Sequence, residues 1–122
     1  MKKILIAEDN EMNFSLFCLI LADTGVEILH AINGIEAVEI CEKNPDICLV
    51  LMDINMPLMN GIDAAILINT KNPKIKIISQ TAYGTYGHVN EIDKKHFSDF
   101  MTKPIDINLL MTLVNRYCFD EN

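Results

Sequence analysis

The sequence predicts an α/β fold: one domain on a doubly wound, parallel five-stranded sheet, with helices on both faces in three αβα layers. Three observations predict it. Short apolar runs alternate with helical patterns five times along the chain. Most of the strand-like runs are continuously apolar, as strands covered on both faces are. The chain has 122 residues, half of them hydrophobic, which is enough for one domain with a real core.

Ile4 to Ala7 is the first strand. Asn10 caps a helix running to about Thr24, and Gly25 stops it. Phe14, Leu16, Phe17, Cys18, Leu19, Ile20 and Leu21 are more apolar residues than one helical face holds. Leu16, Phe17 and Ile20 are expected to face the sheet, and Phe14 and Cys18 to lie off it. Val26 to Ala31 alternates as a second strand. Asn33-Gly34 opens a second helix with Ile35, Val38, Ile40 and Cys41 inward, and Asn44-Pro45 ends it. Ile47 to Met52 is the most apolar strand. Gly61 to about Lys71 is a third helix, closed by Asn72-Pro73. Ile75 to Thr81 is the fourth strand. The stretch from Tyr83 to His96 is weakly helical, because Gly84 and Gly87 each cost about 1 kcal/mol against Ala. Phe97 to Met101 is the fifth strand and Ile105 to Cys118 a final amphipathic helix. There is no linker, repeat or low-complexity segment.

Composition excludes several functions. Seventeen acidic residues against ten basic ones give a formal charge of −7, which disfavours binding to nucleic-acid phosphates. Cys18, Cys41, Cys48 and Cys118 show no zinc spacing. They read as small buried hydrophobes in a reduced, cytoplasmic setting. The apolar run before Glu8-Asp9 is too short for a signal peptide, and no stretch approaches a membrane span. His30, His88 and His96 share no ligand spacing and read as ordinary surface or turn residues.

In open parallel sheets, ligands bind outside the carboxyl ends of the strands. Glu8 and Asp9 follow the first strand here, Asp53 the third, Thr81 the fourth, and Lys103 with Pro104 the fifth. Taken singly, each is commonplace: a helix-cap pair, a turn acid, a strand threonine. Four strand ends in this order are a poor product of chance. Three crowded carboxylates repel one another, and a hard cation such as Mg²⁺ resolves the repulsion while favouring a phosphate as a further ligand. Lys103 is a point charge suited to phosphoryl oxygens, and Thr81 offers a hydroxyl donor. Metal, ammonium and hydroxyl together suit a transferring phosphoryl group. A carboxylate can serve as its acceptor, and Asp53, ending the central strand, is the best placed.

This set, Glu8-Asp9, Asp53, Thr81-Ala82 and Lys103-Pro104, resembles the receiver domain of two-component response regulators. The resemblance covers essentially the whole chain. Intervals of 44, 28 and 22 residues separate Asp9, Asp53, Thr81 and Lys103, and "MDINMPLMNG" and "MTKPI" are specific stretches. The resemblance implies a flavodoxin-like (βα)5 fold, with residues 1–122 a receiver domain and no output domain. It implies that Asp53 accepts a phosphoryl group from phosphohistidine on a sensor histidine kinase or a histidine phosphotransfer domain. Glu8 and Asp9 would hold Mg²⁺ (or Mn²⁺), completed by Asp53 and the backbone carbonyl of Asn55. Lys103 would pair with the phosphoryl group, Thr81 would move toward it, and Phe100 would be the switch aromatic. Pro104 is a cis-peptide candidate.

"EDNEMN", "MDINMP", "TAYG" and "MTKPI" are most similar to receivers that sit on hybrid kinases or exchange phosphate with phosphotransfer domains. Such a chain is a signalling module rather than an enzyme, catalysing only its own phosphorylation and dephosphorylation. It is cytoplasmic, a monomer or weak dimer, and binds neither nucleic acid nor membrane. Phe14 on the first helix is expected to dock the phosphotransfer partner, and Tyr83 to tune hydrolysis by restricting water. His96 stands where the family often has Gly, and the weak helix from Tyr83 to His96 counts against an orthodox dimerising output.

Three other functions fit less well. A flavin-binding electron carrier on the same fold needs a Gly/Ser/Thr-rich phosphate loop after the first strand, where this chain has Glu8-Asp9-Asn10. A Mg²⁺-dependent phosphatase with an aspartyl nucleophile places a second acid two residues on, where this chain has Asn55. A pseudo-receiver that only binds proteins has no need of an intact site.

Overall fold

A computed structural model describes residues 1–82 and 95–119. Five strands, β1 (Lys3–Ala7), β2 (Glu27–Ala31), β3 (Ile47–Asp53), β4 (Lys76–Ala82) and β5 (Asp99–Lys103), form one sheet in the order β2-β1-β3-β4-β5. Every pairing is parallel. The chain steps outward from β1 to β2, returns to β3 and then winds the other way. The crevice where the winding reverses lies between the ends of β1 and β3.

Alternation along the strands builds two cores. Ile4, Ile6, Leu49, Leu51 and Ile78 face helices α1 (Glu11–Leu21) and α4 (Ile107–Val114), burying Phe17, Leu21, Leu110, Leu113 and Val114. Leu5, Val50, Met52 and Ile77 face α2 (Gly34–Lys43) and α3 (Gly61–Lys71), burying Ala37, Cys41, Ala64, Ala65 and Ile68. These four helices begin with the same device. The side chains of Asn10, Asn33, Asn60 and Asp106 accept from the amides of Asn13, Glu36, Asp63 and Leu109 at 2.8 to 3.0 Å. Gly25, at φ 81°, ends the 3₁₀ turn that follows α1.

Several sequence expectations are corrected. In α1 only Phe17 of the three expected inward residues is buried, joined by Leu21, while Ile20 is half-buried. Leu16 is exposed and forms an outward apolar stripe with Met12 and Leu19. Phe14 is half-buried and packs against the core rather than standing off it. A helix apolar nearly all round carries no phase of its own, so the packing sets it. In α2 the buried stripe is Gly34, Ala37 and Cys41, and Ile35 is exposed. β5 starts at Asp99, not Phe97, because pairing with β4 sets its register from Ile78 opposite Asp99 to Ala82 opposite Lys103. Phe97 is buried ahead of it. The last helix starts at Ile107, behind its Asp106 cap, and ends in a π turn over Asn115–Phe119.

Cys48 on β3 and Cys118 in that π turn are joined in a disulfide, not a pair of inert thiols. Seventy residues of separation hide a Cα–Cα distance of 5.5 Å. Cys18 and Cys41 are free, and burial pushes the Cys41 thiol up to about 12. Tyr83, Gly84, Gly87 and His88 lie outside the described residues. Among the described residues no helix is long and apolar enough to cross a membrane.

Candidate functional site

The site forms where β1, β3, β4 and β5 end. Glu8 continues β1 by one residue: its amide donates to the Ala31 carbonyl at 2.9 Å. Its carboxylate folds back, Oε2 accepting from the Asn10 amide at 3.2 Å, and is buried. Asp9 beside it is exposed. Asp53 is the last residue of β3, only 4% exposed. Its Oδ1 accepts from the Asn55 amide at 3.1 Å. The loop after it turns back so closely that a Cβ on Gly61 would lie 2.2 Å from the Asp53 carbonyl oxygen. That position requires glycine.

Lys103, ending β5, brings its Nζ to 3.4 Å from Asp53 Oδ2 and 3.2 Å from Glu8 Oε1. The second approach is an ion pair, and Glu8 Oε1 has no further partner among the described residues. Lys103 precedes Pro104 through a cis peptide bond. Thr81 on β4 is fully buried and its Oγ1 has no hydrogen-bond partner among the described residues. Phe100 is half-buried and lies tilted against Phe97, with ring centroids 5.6 Å apart. Asn55 is exposed just past Asp53. The structure thus brings Glu8, Asp9, Asp53 and Lys103 together, whereas Phe14 sits on α1 against the core and Tyr83 lies outside the described residues.

The electrostatics follow from this crowding. Burial, and then the Glu8 charge, raise the Asp53 carboxyl to about 6, against the pull of Lys103 and the Asn55 amide. Burial alone would lower the Lys103 ammonium, but Asp53 and Glu8 together raise it. Carboxylate oxygens of Glu8, Asp9 and Asp53 all lie within 4.8 Å of one another. Three carboxylates against one ammonium leave excess negative charge in a hard-oxygen cluster. This donor set fits a small divalent cation such as Mg²⁺.

Two features escaped the sequence reading. His30, on β2, is half-buried and donates from Nε2 to the Glu8 carbonyl at 2.8 Å. It is no ordinary surface residue, but its role depends on strand pairing that no local pattern encodes. Ser79 and Gln80 are buried, and Ser79 Oγ and Gln80 Nε2 have no hydrogen-bond partner among the described residues. Two polar residues inside an apolar strand were the available signal.

Known proteins of one family match this chain. The family model described as the response regulator receiver domain matches residues 4–115. Hybrid signal transduction histidine kinase G of Dictyostelium discoideum is 36% identical over 94% of this chain, which spans only 4% of that protein's length. The Thermotoga maritima response regulator TrrA, solved in complex with Mg²⁺–BeF, superposes with a TM-score of 0.84 at 30% identity, covering 96% of this chain and 99% of that one. The receiver domain of Saccharomyces cerevisiae Ssk1, solved with the histidine phosphotransfer protein Ypd1, superposes with a TM-score of 0.79 at 25% identity, covering 96% and 88%. By the match over residues 4–115, with which the parallel sheet, its strand order and the acid-lined edge are consistent, this chain belongs to the response regulator receiver domain family, the receiver modules of two-component and phosphorelay signalling.

Proposed function

We propose that residues 1–122 form a receiver module that takes a phosphoryl group from phosphohistidine onto Asp53. One observation carries this reading: the Lys103 ammonium is shared between the buried carboxylates of Asp53 and Glu8 at the edge of the sheet. An Asp53 oxygen attacks phosphorus, the N–P bond of the donor breaks, and an acyl phosphate forms. The donor imidazole leaves with the electron pair and regains its proton from solvent. The Asn55 amide holds the other Asp53 oxygen and so orients the attacking one. Lys103 moves from neutralising a carboxylate to neutralising a phosphoryl oxygen. Glu8, Asp9, Asp53 and the Asn55 backbone carbonyl are the ligands we assign to Mg²⁺, with Mn²⁺ as a substitute. When bound, the ion supplies charge neutralisation for the phosphoryl oxygens.

Thr81, whose buried hydroxyl lacks a partner among the described residues, is assigned as the donor that turns to the phosphoryl group, and Phe100 as the aromatic that repositions with it. Tyr83 is assigned to slowing hydrolysis. The donor is a sensor histidine kinase or a histidine phosphotransfer domain. The receiver of Ssk1, solved with such a domain, supports the second. The exposed stripe of Met12, Leu16 and Leu19 on α1 suits that partner, with Phe14 beneath it in a supporting place. The module acts in the cytoplasm, where reducing conditions oppose the Cys48–Cys118 disulfide, as a monomer or weak dimer, and turns over no substrate other than its own phosphoryl group.

The test is transfer from a radiolabelled, phosphorylated histidine phosphotransfer domain. Label is expected on the wild-type chain in Mg²⁺ and on neither Asp53→Asn nor the chelated wild type. Equal labelling of Asp53→Asn would overturn the assignment.

A further inference from the structure

His30 joins three parts of the molecule. It stands on the edge strand β2, opposite Ile6 of β1. Its Nε2 donates to the Glu8 carbonyl at 2.8 Å. Its ring lies flat against Phe14 of α1, with centroids 3.5 Å apart and planes 6° from parallel. The residue it grips is held on three sides. The Glu8 amide is bound to Ala31, its carbonyl to His30, and its carboxylate to the Asn10 amide at the start of α1. The carbonyl that His30 holds belongs to the peptide linking Glu8 to Asp9. Fixing that plane fixes the direction in which both acids leave the chain.

We propose that His30 is a positioning residue for the metal-binding acids, and that the Phe14–His30 stack holds its ring in place. This rests on the receiver reading of the site. It extends that reading to a residue on the edge strand. Phe14 backs the His30 ring, so α1 is joined to the Glu8–Asp9 peptide through one stacked contact and one hydrogen bond. Asp53 and Lys103 belong to other strands and do not share this route.

The test compares wild type, His30→Phe and Phe14→Leu in two measurements on the intact chain. One is calorimetric titration with Mg²⁺. The other is the rate of Asp53 labelling by acetyl phosphate at low and at saturating Mg²⁺. His30→Phe keeps a ring against Phe14 but loses the donor. It is expected to weaken Mg²⁺ binding about three- to tenfold, the range of one lost hydrogen bond, and to slow labelling at low Mg²⁺ only. Phe14→Leu keeps the hydrogen bond but loses the stack, and a smaller shift of the same kind is expected. General structural damage would also slow labelling at saturating Mg²⁺. An unchanged Mg²⁺ midpoint in His30→Phe, or a rate loss that saturating Mg²⁺ does not repair, overturns the proposal. A wild type that binds no Mg²⁺ and labels nowhere overturns the receiver reading itself, a separate and recognisable result.

Discussion

Lys103 and Asp53 meet at 3.4 Å across fifty residues of chain, with the Lys103 ammonium also 3.2 Å from Glu8. The contact exists because β3 and β5 flank β4 in a parallel sheet and end at the same edge. One cation cannot balance the acids gathered there, and the imbalance shapes both stability and function. A carboxyl raised to about 6 is ionised at neutral pH only at a cost in stability, which a bound cation would offset.

Asp53→Asn is therefore expected to stabilise the metal-free protein at neutral pH. The folded-state value of Asp53 lies above its unfolded value near 4. Its favourable contribution is thus fully present below pH 4 and lost as pH rises through about 6. Above that, the folded state carries a crowded charge that the Asn variant lacks, worth about 1–3 kcal/mol at 1.36 kcal/mol per unit. Urea unfolding in a chelator at pH 7.5 and pH 4.5 checks this: the advantage of Asp53→Asn should shrink at the lower pH. An advantage independent of pH would contradict the stated cause.

Leu58 has φ 67° and is 82% exposed, between Pro57 and Met59. A leucine in the left-handed region strains its backbone, and its side chain gains no burial in return. Leu58→Gly is expected to raise stability by about 0.5–1 kcal/mol, the strain relieved being partly offset by the entropy of the unfolded glycine. The urea midpoint reads this directly, and a lowered midpoint would show that Leu58 makes contacts that outweigh the strain.

The Cys48–Cys118 disulfide closes a loop that contains Asp53, Thr81 and Lys103. Thiol titration of the denatured, unreduced protein should find two free groups, Cys18 and Cys41. Reduction should lower stability by about 2–4 kcal/mol. Four free thiols before reduction would contradict the pairing.

The legible parts of this molecule were those whose signal is local. The apolar run Ile47–Met52 reads as a central strand because a strand covered on both faces has no polar side to show. The capping asparagines Asn10 and Asn33 announce their helices because an unpaired helical amide needs a side-chain acceptor. The acids of the site were legible because each interrupts or follows an apolar run at a strand end. The rest depends on three-dimensional placement. The phase of α1 cannot be read from a helix with apolar residues on nearly every face, so the pattern puts Leu16 inward and Phe14 off the core, the reverse of the structure. The start of β5 is set by its pairing with β4 rather than by the apolar Phe97. Cys48 with Cys118, and His30 with Glu8, are pairs made by topology, and no spacing rule connects them.

In the proposed reading Asp53 is the phosphoryl acceptor of a metal-dependent site. Intact-mass measurement after incubation with acetyl phosphate tests it most directly, on wild type with Mg²⁺, wild type with chelator, and Asp53→Asn with Mg²⁺. A single phosphoryl adduct is expected in the first sample and none in the other two. An adduct of equal occupancy in Asp53→Asn, or in the chelated wild type, would contradict it.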